Sequence, residues 1–452
     1  MRSASASRGL ASSLTKDSLA LTIEALSWMA YTGIGERSAL LKASKQLELN
    51  NPDDLRQAHR LIMETTRFQN RVDWLVSKSI PDQTIKQASH GVRSLLKIIA
   101  YSKYVAAKSA NQLEVIVGWA RQIFGWRDLQ PYEMSIARLV SGSTRYNSRE
   151  LPELERVAIE TCHPAWYVER LTNIYGRAGA LKILVRNLRP VLTFARVNPL
   201  RNTDEGLVAK QLDAVKVNGV TNAYLLERSS HSTRAKLSAS GEIVIQDLAS
   251  IVAGLVASPR AGQSVLDVCA SPGNKTSHLA AQMDNQGEIY SIELSADRIR
   301  HWKREVTRSG CSIASPILGD ASKCPIKGQV DVAMVDPPCS NTGVFARDPV
   351  SKWRVTLGRI AELSLRQSAI LQAASDRVRS GGTLVYCTCS ILPEENEFVV
   401  ETFLRKNPDF KLVPQTPFVG SPGLRGLANC QRFYSHLHDC NGYFISKMER
   451  ES

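Results

Sequence analysis

The sequence predicts an α/β protein whose C-terminal half is a doubly wound, mostly parallel sheet, preceded by a small α+β region and an all-α helical bundle. Three observations predict this architecture. Apolar residues recur at helical spacing up to about residue 145, helix and strand signals mix between residues 148 and 240, and short β-rich apolar runs alternate with helical stretches from residue 241 onward.

The composition indicates a folded protein with a polyanionic partner. The 452 residues carry 57 Lys and Arg against 43 Asp and Glu, a net charge of +14, and 43% of them are hydrophobic. Nucleic acid is the commonest partner of such a charge excess. No apolar run approaches the roughly 18 residues of a membrane span, and residues 1–16 lack a signal-peptide core. We therefore expect a cytoplasmic monomer with a flexible N-terminus.

The first predicted domain is a helical bundle over residues 17–147. The helical periodicity is clearest in four segments, residues 18–31, 55–76, 92–107 and 113–124. Asn51 and Pro52, followed by two acids, predict a helix start. Several short amphipathic helices imply a compact bundle, which by itself favours an interaction or scaffold domain.

Two further domains follow. Residues 148–240 read as linker helices and a small α+β subdomain, with a helix over 162–176 and a strand within 190–199. The last domain, residues 241–452, carries strand signals at 263–269, 287–294, 330–336 and 381–389 with helical stretches between them.

Residues able to bind a cofactor follow the predicted strands, at the edge where open α/β sheets bind ligands. Glu293, 20 residues after Gly273, suits ribose hydroxyls, and Asp320 suits an adenine amino group. Neither GxGxxG nor GxxxxGK[ST] is present, which disfavours dinucleotides and a P-loop. We therefore expect S-adenosylmethionine, bound by a set that comprises Asp267, Cys269, Ala270, Ser271, Pro272, Gly273, Asn274, Lys275, Glu293, Arg298, Asp320 and Asp336.

Two cysteines end neighbouring strands at the same edge. Asp336-Pro337-Pro338-Cys339 follows the fourth strand, and Cys389 ends the fifth. A DPP element at this place is typical of methyl transfer to a nucleobase. Two thiols suit carbon 5 of cytosine, because one can add to carbon 6 while the other assists release. Asp336 can exchange a proton with the ring. These considerations leave open which cysteine attacks.

The position of Cys389 suggests an activated thiol. Pro393 and two acids predict a helix start shortly after it, and a helix N-terminus lowers a thiol pKa below its free value of about 8.5. The sequence therefore predicts a Cys389 thiolate.

Other interpretations of the cysteines are weaker. The C-T-C sequence is not the CxxC of redox proteins. Cys430, His436, His438 and Cys440 have an unusual spacing for zinc, so we expect no metal. A methyltransferase acting on an exocyclic amine would need no thiol. A non-catalytic assembly factor with a vestigial methyltransferase fold is the alternative from another class.

Five motifs resemble those of the RNA (cytosine-5) methyltransferases of the Fmu/RsmB–NOP2–NSUN type. They are DVCASPGNKT, IELSADRIR, GDA, DPPCSNTG and YCTCSILPEEN. The segments from Gln246, from Phe345 to Arg354 and from Arg432 to the C-terminus resemble further family motifs, and residues 17–145 resemble the NusB-like domain of the RsmB branch. The resemblance implies a Rossmann-like class I methyltransferase core.

The resemblance also implies roles for individual residues. Cys389 corresponds to the nucleophile, Cys339 to the thiol that assists release, Lys275 to the lysine of the glycine loop and Glu293 to the ribose acid. Asn274 stands where the family usually has a second glycine, and we expect cofactor binding to survive because Asn tolerates positive φ. The implied substrate is RNA, ribosomal first and transfer RNA second. We expect basic runs such as residues 56–71 and 93–108 to contact it.

Overall fold

A computed structural model describes residues 14–143, 148–201 and 203–451. The chain divides into two compact units, a helical unit ending at residue 188 that also takes in residues 348–353, and an α/β unit of residues 189–347 and 354–452. The flexible N-terminus that we predict lies almost wholly outside the described residues. None of the described helices has the length and apolarity that crossing a bilayer requires.

The helical unit contains eleven helices among its described residues. They are α1 Lys16–Thr32, α2 Glu36–Leu47, α3 Pro52–Arg67, α4 Gln69–Ser79, α5 Asp82–Gln87, α6 His90–Tyr104, α7 Ala110–Phe124, α8 Trp126–Leu129, α9 Glu133–Ser141, α10 Glu153–Thr161 and α11 Ala165–Arg186, with 3-10 turns at Gln130–Tyr132, Ser148–Glu150 and Ser351–Trp353.

The predicted helical segments are all confirmed, and local capping explains their limits. Asn51 caps α3 by accepting from the backbone N–H of Asp53 at 2.8 Å, and Pro52 takes the first helical position. The segment predicted over residues 55–76 is two helices, because Phe68 leaves the helical conformation between α3 and α4. A core of aliphatic side chains from α1, α4, α6, α7 and α9 holds the helices together.

The helices α10 and α11 belong to the helical unit, although we expected residues 148–240 to form one region. Their carbonyls give the reason. Asn70 of α4 donates to the carbonyls of Ala158 and His163 at 2.8 and 3.0 Å, and Arg71 donates to that of Ile159 at 3.3 Å. The division of the chain therefore falls at residue 188.

Residues 348–353 also belong to the helical unit, far along the chain from the rest of it. The Lys352 ammonium is fully buried and donates to the carbonyls of Arg67 and Cys162 at 2.7 and 2.6 Å. The indole N–H of Trp353 donates to the carbonyl of Thr66 at 2.7 Å. These contacts hold the segment against the C-terminal ends of α3 and α10.

The α/β unit contains two sheets and eight helices among its described residues. Its elements are β1 Phe194–Val197, α12 Glu205–Gln211, β2 Val215–Lys216, β3 Ala223–Leu225, α13 His231–Ser240, β4 Ile243–Ile245, α14 Leu248–Ala257, β5 Ser264–Val268, α15 Asn274–Gln282, β6 Glu288–Glu293, α16 Ala296–Ser309, β7 Ala314–Leu318, β8 Val330–Val335, α17 Leu357–Ser375, β9 Val378–Thr388, α18 Glu397–Lys406, β10 Phe410–Leu412, β11 Ser421–Pro422, β12 Gln431–Phe433, α19 Ser435–His438 and β13 Tyr443–Arg450.

The large sheet has the doubly wound strand order. Its parallel part runs β7-β6-β5-β8-β9, so the order reverses between β5 and β8, and the antiparallel strands β13, β12 and β11 extend it beyond β9 while β10 pairs with β13. Parallel pairing thus joins five of the nine strands, and the other four are antiparallel additions at one side. The smaller antiparallel sheet has the order β2-β3-β1-β4. Apolar clusters on both faces of the large sheet bury its central strands, as parallel sheets require.

Candidate active site

The strand order brings the two halves of the predicted site together. Val268 at the end of β5 is paired with Val335 at the end of β8, and the N–H of Asp336 donates to the Val268 carbonyl at 3.3 Å. Ligands of doubly wound sheets bind at this reversal of strand order. The loop after β5 and the Asp336 loop are therefore neighbours at one edge.

The glycine loop after β5 is packed against α16. Gly273 has φ of 109°, and a β-carbon there would lie 3.0 Å from a Val306 methyl carbon, so both conformation and space require glycine. Asn274 begins α15 without a positive φ. Asn274 therefore does not have to adopt the positive φ that we considered for it. The residue of this loop that needs positive φ is Gly273.

Asp267 lies buried beneath this loop. Its Oδ2 accepts from the Thr276 hydroxyl at 2.5 Å, and that hydroxyl accepts from the Trp302 indole N–H at 2.9 Å. Its Oδ1 has no hydrogen-bond partner among the described residues. Burial raises the pKa of Asp267 to about 6, with nearby Asp336 and Glu293 acting in the same direction.

Glu293 ends β6 next to the loop. It is 3% exposed, and its Oε1 accepts from the Ser295 N–H at 3.1 Å. Its Oε2 lies 3.4 Å from the guanidinium of Arg298 without making a hydrogen bond. Arg298 in turn donates to the Ser271 carbonyl at 3.0 Å. Glu293, Arg298 and the loop therefore form one connected group.

The remaining predicted cofactor residues lie at the same edge. Asp320 follows β7, and its Oδ1 accepts from the N–H and hydroxyl of Ser322, which lower its pKa. Burial raises the pKa of the Cys269 thiol to about 12, and the carboxylates of Asp336, Glu293 and Asp267 contribute to that rise. Asp336, Glu293 and Asp267 therefore all lie close enough to Cys269 to act on its thiol.

The edge fits a cofactor rich in hydrogen-bond donors. At this edge, Asp267 Oδ1 and Glu293 Oε2 are buried carboxylate oxygens without a hydrogen-bond partner among the described residues, and they call for external donors. Ribose hydroxyls and an amino group are such donors. S-adenosylmethionine carries both, so the residues present are suited to it.

Lys275 joins the cofactor loop to the reactive loop. Its ammonium lies 2.5 Å from Asp336 Oδ2. Burial by itself lowers the Lys275 pKa, but the Asp336 carboxylate outweighs it, and the pKa stands above its ordinary value. Lys275 is thus a fixed cation beside the carboxylate that follows β8.

The two predicted thiols are in contact. Cys339 Sγ and Cys389 Sγ lie 3.0 Å apart, and Asn341 Oδ1 lies 2.9 Å from Cys389 Sγ and 3.6 Å from Cys339 Sγ. The hydrogen bond between the Cys389 and Cys339 thiols, together with burial, raises the pKa of Cys389 well above its ordinary value.

The expectation of a Cys389 thiolate is therefore wrong for this state. The first regular helix after Cys389 is α18, which begins at Glu397, and only a 3-10 turn at Pro393–Glu395 lies nearer. Among the described residues, no α-helix N-terminus adjoins the Cys389 sulfur, and burial beside a second thiol favours the protonated form.

Buried polar side chains hold the two cysteine loops together. Glu395 is fully buried; its carboxylate accepts from the Ser340 N–H at 2.8 Å and from the Gln367 amide at 3.0 Å. The Gly343 N–H donates to the Cys389 carbonyl at 2.9 Å, where a β-carbon would approach to 2.7 Å. By sequence, Glu395 is an acid in the first turn of a predicted helix, and no role is indicated for Asn341. The only available signal was their place inside the two cysteine motifs.

Two of the four side chains considered as zinc ligands, His438 and Cys440, make hydrogen bonds within the protein. His438 Nδ1 accepts from the Tyr434 N–H at 3.0 Å, and the Cys440 thiol donates to the Asn441 carbonyl at 3.4 Å. Within the part of the chain that the structure describes, no group of three or more His, Cys, Asp or Glu side chains is placed to hold a metal ion.

Comparison with known proteins identifies the family. The family model for the 16S rRNA methyltransferase RsmB/F matches residues 255–449. A Bacillus subtilis protein described as "Probable ribosomal RNA small subunit methyltransferase B" is 31% identical over 341 residues, which cover 70% of this chain and 74% of that protein. The chain belongs to the RsmB/F family of methyltransferases.

Solved structures agree with this assignment. The crystal structure of PH0851 superposes with a TM-score of 0.80 at 26% identity over 97% of this chain and 99% of that one. NSun6 from Pyrococcus horikoshii, solved with SFG, has a TM-score of 0.59 at 25% identity and covers 64% of this chain and 98% of its own. The RsmB/F protein described here therefore has the methyltransferase fold, and S-adenosylmethionine is its cofactor.

Proposed function

We propose that this RsmB/F protein forms 5-methylcytosine in ribosomal RNA of the small subunit, with Cys389 as nucleophile. The observation that carries the proposal is the contact of two thiols at 3.0 Å, beside the Asp336–Lys275 pair. Carbon 5 of cytosine is a poor nucleophile until a thiol adds at carbon 6. Methylation of an exocyclic amine would give neither thiol a task.

The proposed chemistry follows from the positions of these side chains. Cys389 Sγ bonds to carbon 6 of the cytosine, and the electrons of the 5,6 double bond make carbon 5 nucleophilic. Asp336, held by Lys275, binds the base edge and exchanges a proton with the ring. Bound S-adenosylmethionine supplies the methyl group. Cys339, as its thiolate, then takes the carbon 5 proton. The electrons of that C–H bond re-form the 5,6 double bond and expel Cys389 Sγ from carbon 6, and Cys389 recovers its proton from the ring nitrogen through Asp336.

The raised Cys389 pKa sets a requirement on the first step. A protonated thiol must lose its proton before it attacks, because the thiolate is the nucleophile. The Asp336 carboxylate is close enough to raise the Cys389 pKa, so it can take this proton and pass it to the ring nitrogen. The thiol proton thereby ends on the substrate base, and Cys389 attacks as the thiolate.

The cofactor residues take roles by position in this proposal. Glu293 binds the ribose hydroxyls, with Arg298 fixing its orientation and that of the Ser271 carbonyl. Asp320 accepts from the adenine amino group. The amino-acid part occupies the loop of Cys269, Ala270, Ser271, Pro272, Gly273, Asn274 and Lys275, where Asp267 Oδ1 accepts from its ammonium.

We also propose that the helical unit binds RNA as a NusB-like domain. The run of residues 56–71 is only partly available for this. Arg56 is exposed, whereas Arg67 is buried and donates to the Asn187 carbonyl and Glu64, so it serves the fold. The related methyltransferase B proteins are described as acting on small-subunit ribosomal RNA, which favours that substrate over transfer RNA.

The two thiol roles are separable on a denaturing gel. We expect Cys389→Ala to abolish methyl transfer, and Cys339→Ala to leave a covalent protein–RNA adduct that persists in denaturant, because release fails after attack. Cys430→Ala is the matched control, since Cys430 is a buried free cysteine beside Glu397 and Arg432 and should leave activity and gel pattern unchanged. Bisulfite sequencing of RNA from cells with and without the protein would locate the target cytosine.

Three outcomes would contradict the proposal. An adduct formed by Cys389→Ala would reverse the thiol roles. Full activity of both cysteine variants would indicate methylation of an exocyclic amine. Absence of S-adenosylmethionine binding in calorimetry would identify a vestigial, non-catalytic domain.

A further inference from the structure

The Asn341 side chain touches both thiols. Its carboxamide oxygen lies 2.9 Å from Cys389 Sγ and 3.6 Å from Cys339 Sγ. Its backbone has φ of 59°, a left-handed conformation that glycine adopts freely and other residues adopt at a cost. A residue other than glycine at such a position, with its side chain directed at two sulfurs, points to a use for the side chain itself.

We propose that Asn341 is a further catalytic residue, whose carboxamide holds the Cys389 thiol before attack and donates an N–H to the thiolate when it forms. The proposal rests on the proposed function, in which Cys389 is the nucleophile. In the resting state the oxygen accepts from the S–H, and a half-turn of the carboxamide presents its N–H group at the same place.

The charges around Cys389 explain why such a donor is needed. Asp336 and the neighbouring Cys339 oppose ionisation of Cys389, Lys275 favours it, and the buried Tyr443 is close enough for its pKa to respond to Cys389. Lys275 is already engaged by Asp336 at 2.5 Å. A neutral amide adds a donor without adding another charge, and hydrogen bonds to a charged acceptor are stronger than those to a neutral one. Asn341 should therefore lower the Cys389 pKa from the value it would otherwise have.

A purely conformational role makes a different prediction. If Asn341 served only to tolerate positive φ, Asn341→Gly would be harmless, because glycine adopts that conformation more readily than asparagine. Asn341→Asp would be harmless as well, because Asp tolerates the left-handed region about as Asn does. A catalytic carboxamide makes both changes costly and Asp the worse one, because a carboxylate donates no N–H and repels a thiolate.

The test compares wild type, Asn341→Gly, Asn341→Asp and a matched control, Asn222→Gly, which removes another asparagine at positive φ (57°) away from the thiols. Steady-state kinetics give kcat and the KM values for RNA and S-adenosylmethionine. The pH dependence of iodoacetamide alkylation at Cys389, read by mass spectrometry in a Cys339→Ser background, gives the thiol pKa directly. Thermal melts show that each variant is folded.

We expect Asn341→Gly to lower kcat about 10-fold with both KM values nearly unchanged, and Asn341→Asp to lower it about 100-fold. The alkylation midpoint should move to higher pH in Asn341→Gly and further in Asn341→Asp, while Asn222→Gly behaves as wild type. Equal kcat and equal alkylation midpoints for Asn341→Gly and wild type would overturn the inference. The alkylation titration needs no methyl transfer, so it decides the role of Asn341 even if wild type fails to methylate cytosine, which would refute the proposed function alone.

Discussion

Each unit shields a lysine from water, Lys352 fully and Lys275 largely, and the two lysines are held in opposite ways. In the α/β unit, Lys275 pairs with the Asp336 carboxylate, and its pKa is raised. In the helical unit, the ammonium of Lys352 donates to two backbone carbonyls, and burial lowers its pKa to about 7. The carboxylate partner makes the difference, because it replaces the hydration that burial removes from the ammonium. Lys275 keeps its charge beside a carboxylate, and Lys352 completes the helical unit.

The carbonyls that Lys352 binds explain why it is tolerated without a carboxylate. Arg67 is the last residue of α3, and Cys162 caps α10. The last carbonyls of a helix lack partners within it and carry the negative end of its dipole. A buried amine or ammonium placed between two helix ends therefore satisfies groups that would otherwise be orphaned.

The largest expected effect is on chemistry at the Lys275 site. Asp336→Asn should lower kcat/KM roughly 10²–10⁴-fold, since it removes the proton-exchanging group and the partner of Lys275. The melting temperature should fall as well, because the largely buried Lys275 ammonium loses its carboxylate partner. Transfer of a labelled methyl group to RNA measures the first, and a thermal melt the second. The control is Asp331→Asn in β8, which loses an ion pair with Arg379 away from the site and should keep full activity.

Activity of Asp336→Asn within about threefold of wild type would contradict the catalytic role that we propose for the Asp336–Lys275 pair. Asp336 and Lys275 would then be a structural pair like any other, and the difference between the two lysines would lie in their pKa values alone.

A smaller effect is expected on stability at the Lys352 site, and it depends on pH. The folded pKa of about 7 lies below the unfolded value of about 10.4, so the unfolded chain binds more protons between these values. The free energy of unfolding therefore rises with pH in that window, on the order of 1 kcal/mol per pH unit, and this term is flat below pH 7. The Lys352→Met variant has no titrating group at this position, so it lacks this pH-dependent contribution to the free energy of unfolding.

Urea unfolding of wild type and Lys352→Met at pH 7, 8 and 9 measures this difference. Tryptophan fluorescence suits the purpose, since all tryptophans except Trp302 lie in the helical unit. We expect the wild-type free energy of unfolding, minus that of Lys352→Met, to rise with pH. If this difference stayed constant or fell as the pH rose, Lys352 would be buried as a stable cation.

The smallest effect is expected next to Lys352. Trp353→Phe removes the indole donor to the Thr66 carbonyl and keeps an aromatic ring. The loss should be about 1 kcal/mol, the usual net contribution of one hydrogen bond, without the pH dependence seen for Lys352. The same unfolding experiment reports it, and a loss that varied with pH would argue that Trp353 acts through the lysine.

Local signals in the sequence predict the parts of this molecule that are determined locally. Asn51 and Pro52 mark the start of α3, and the strand ends at Asp267, Glu293 and Asp336 follow from apolar runs that stop at a polar residue. Because parallel strands share a carboxyl edge, the convergence of these acids could be inferred before any coordinates.

The features that escape prediction depend on contacts distant in sequence. The pKa of Cys389 follows from a thiol 50 residues away, and the grouping of α10 and α11 with the helical unit follows from side chains of α4. Arg67 reads as part of a basic surface but is buried against Asn187. Composition and spacing carry no information about which of several basic residues faces inward.

The helical unit includes residues 348–353, which are synthesised long after the rest of that unit. Residues 348–353 emerge roughly 160 residues after residue 188, which takes on the order of 8–32 s at about 5–20 residues per second. During that interval the carbonyls of Thr66, Arg67 and Cys162 have neither Lys352 nor Trp353 to bind. The last step in building this unit therefore waits until the cofactor loop and the Cys339 loop have already been synthesised, and no single cut of the chain yields the helical unit intact.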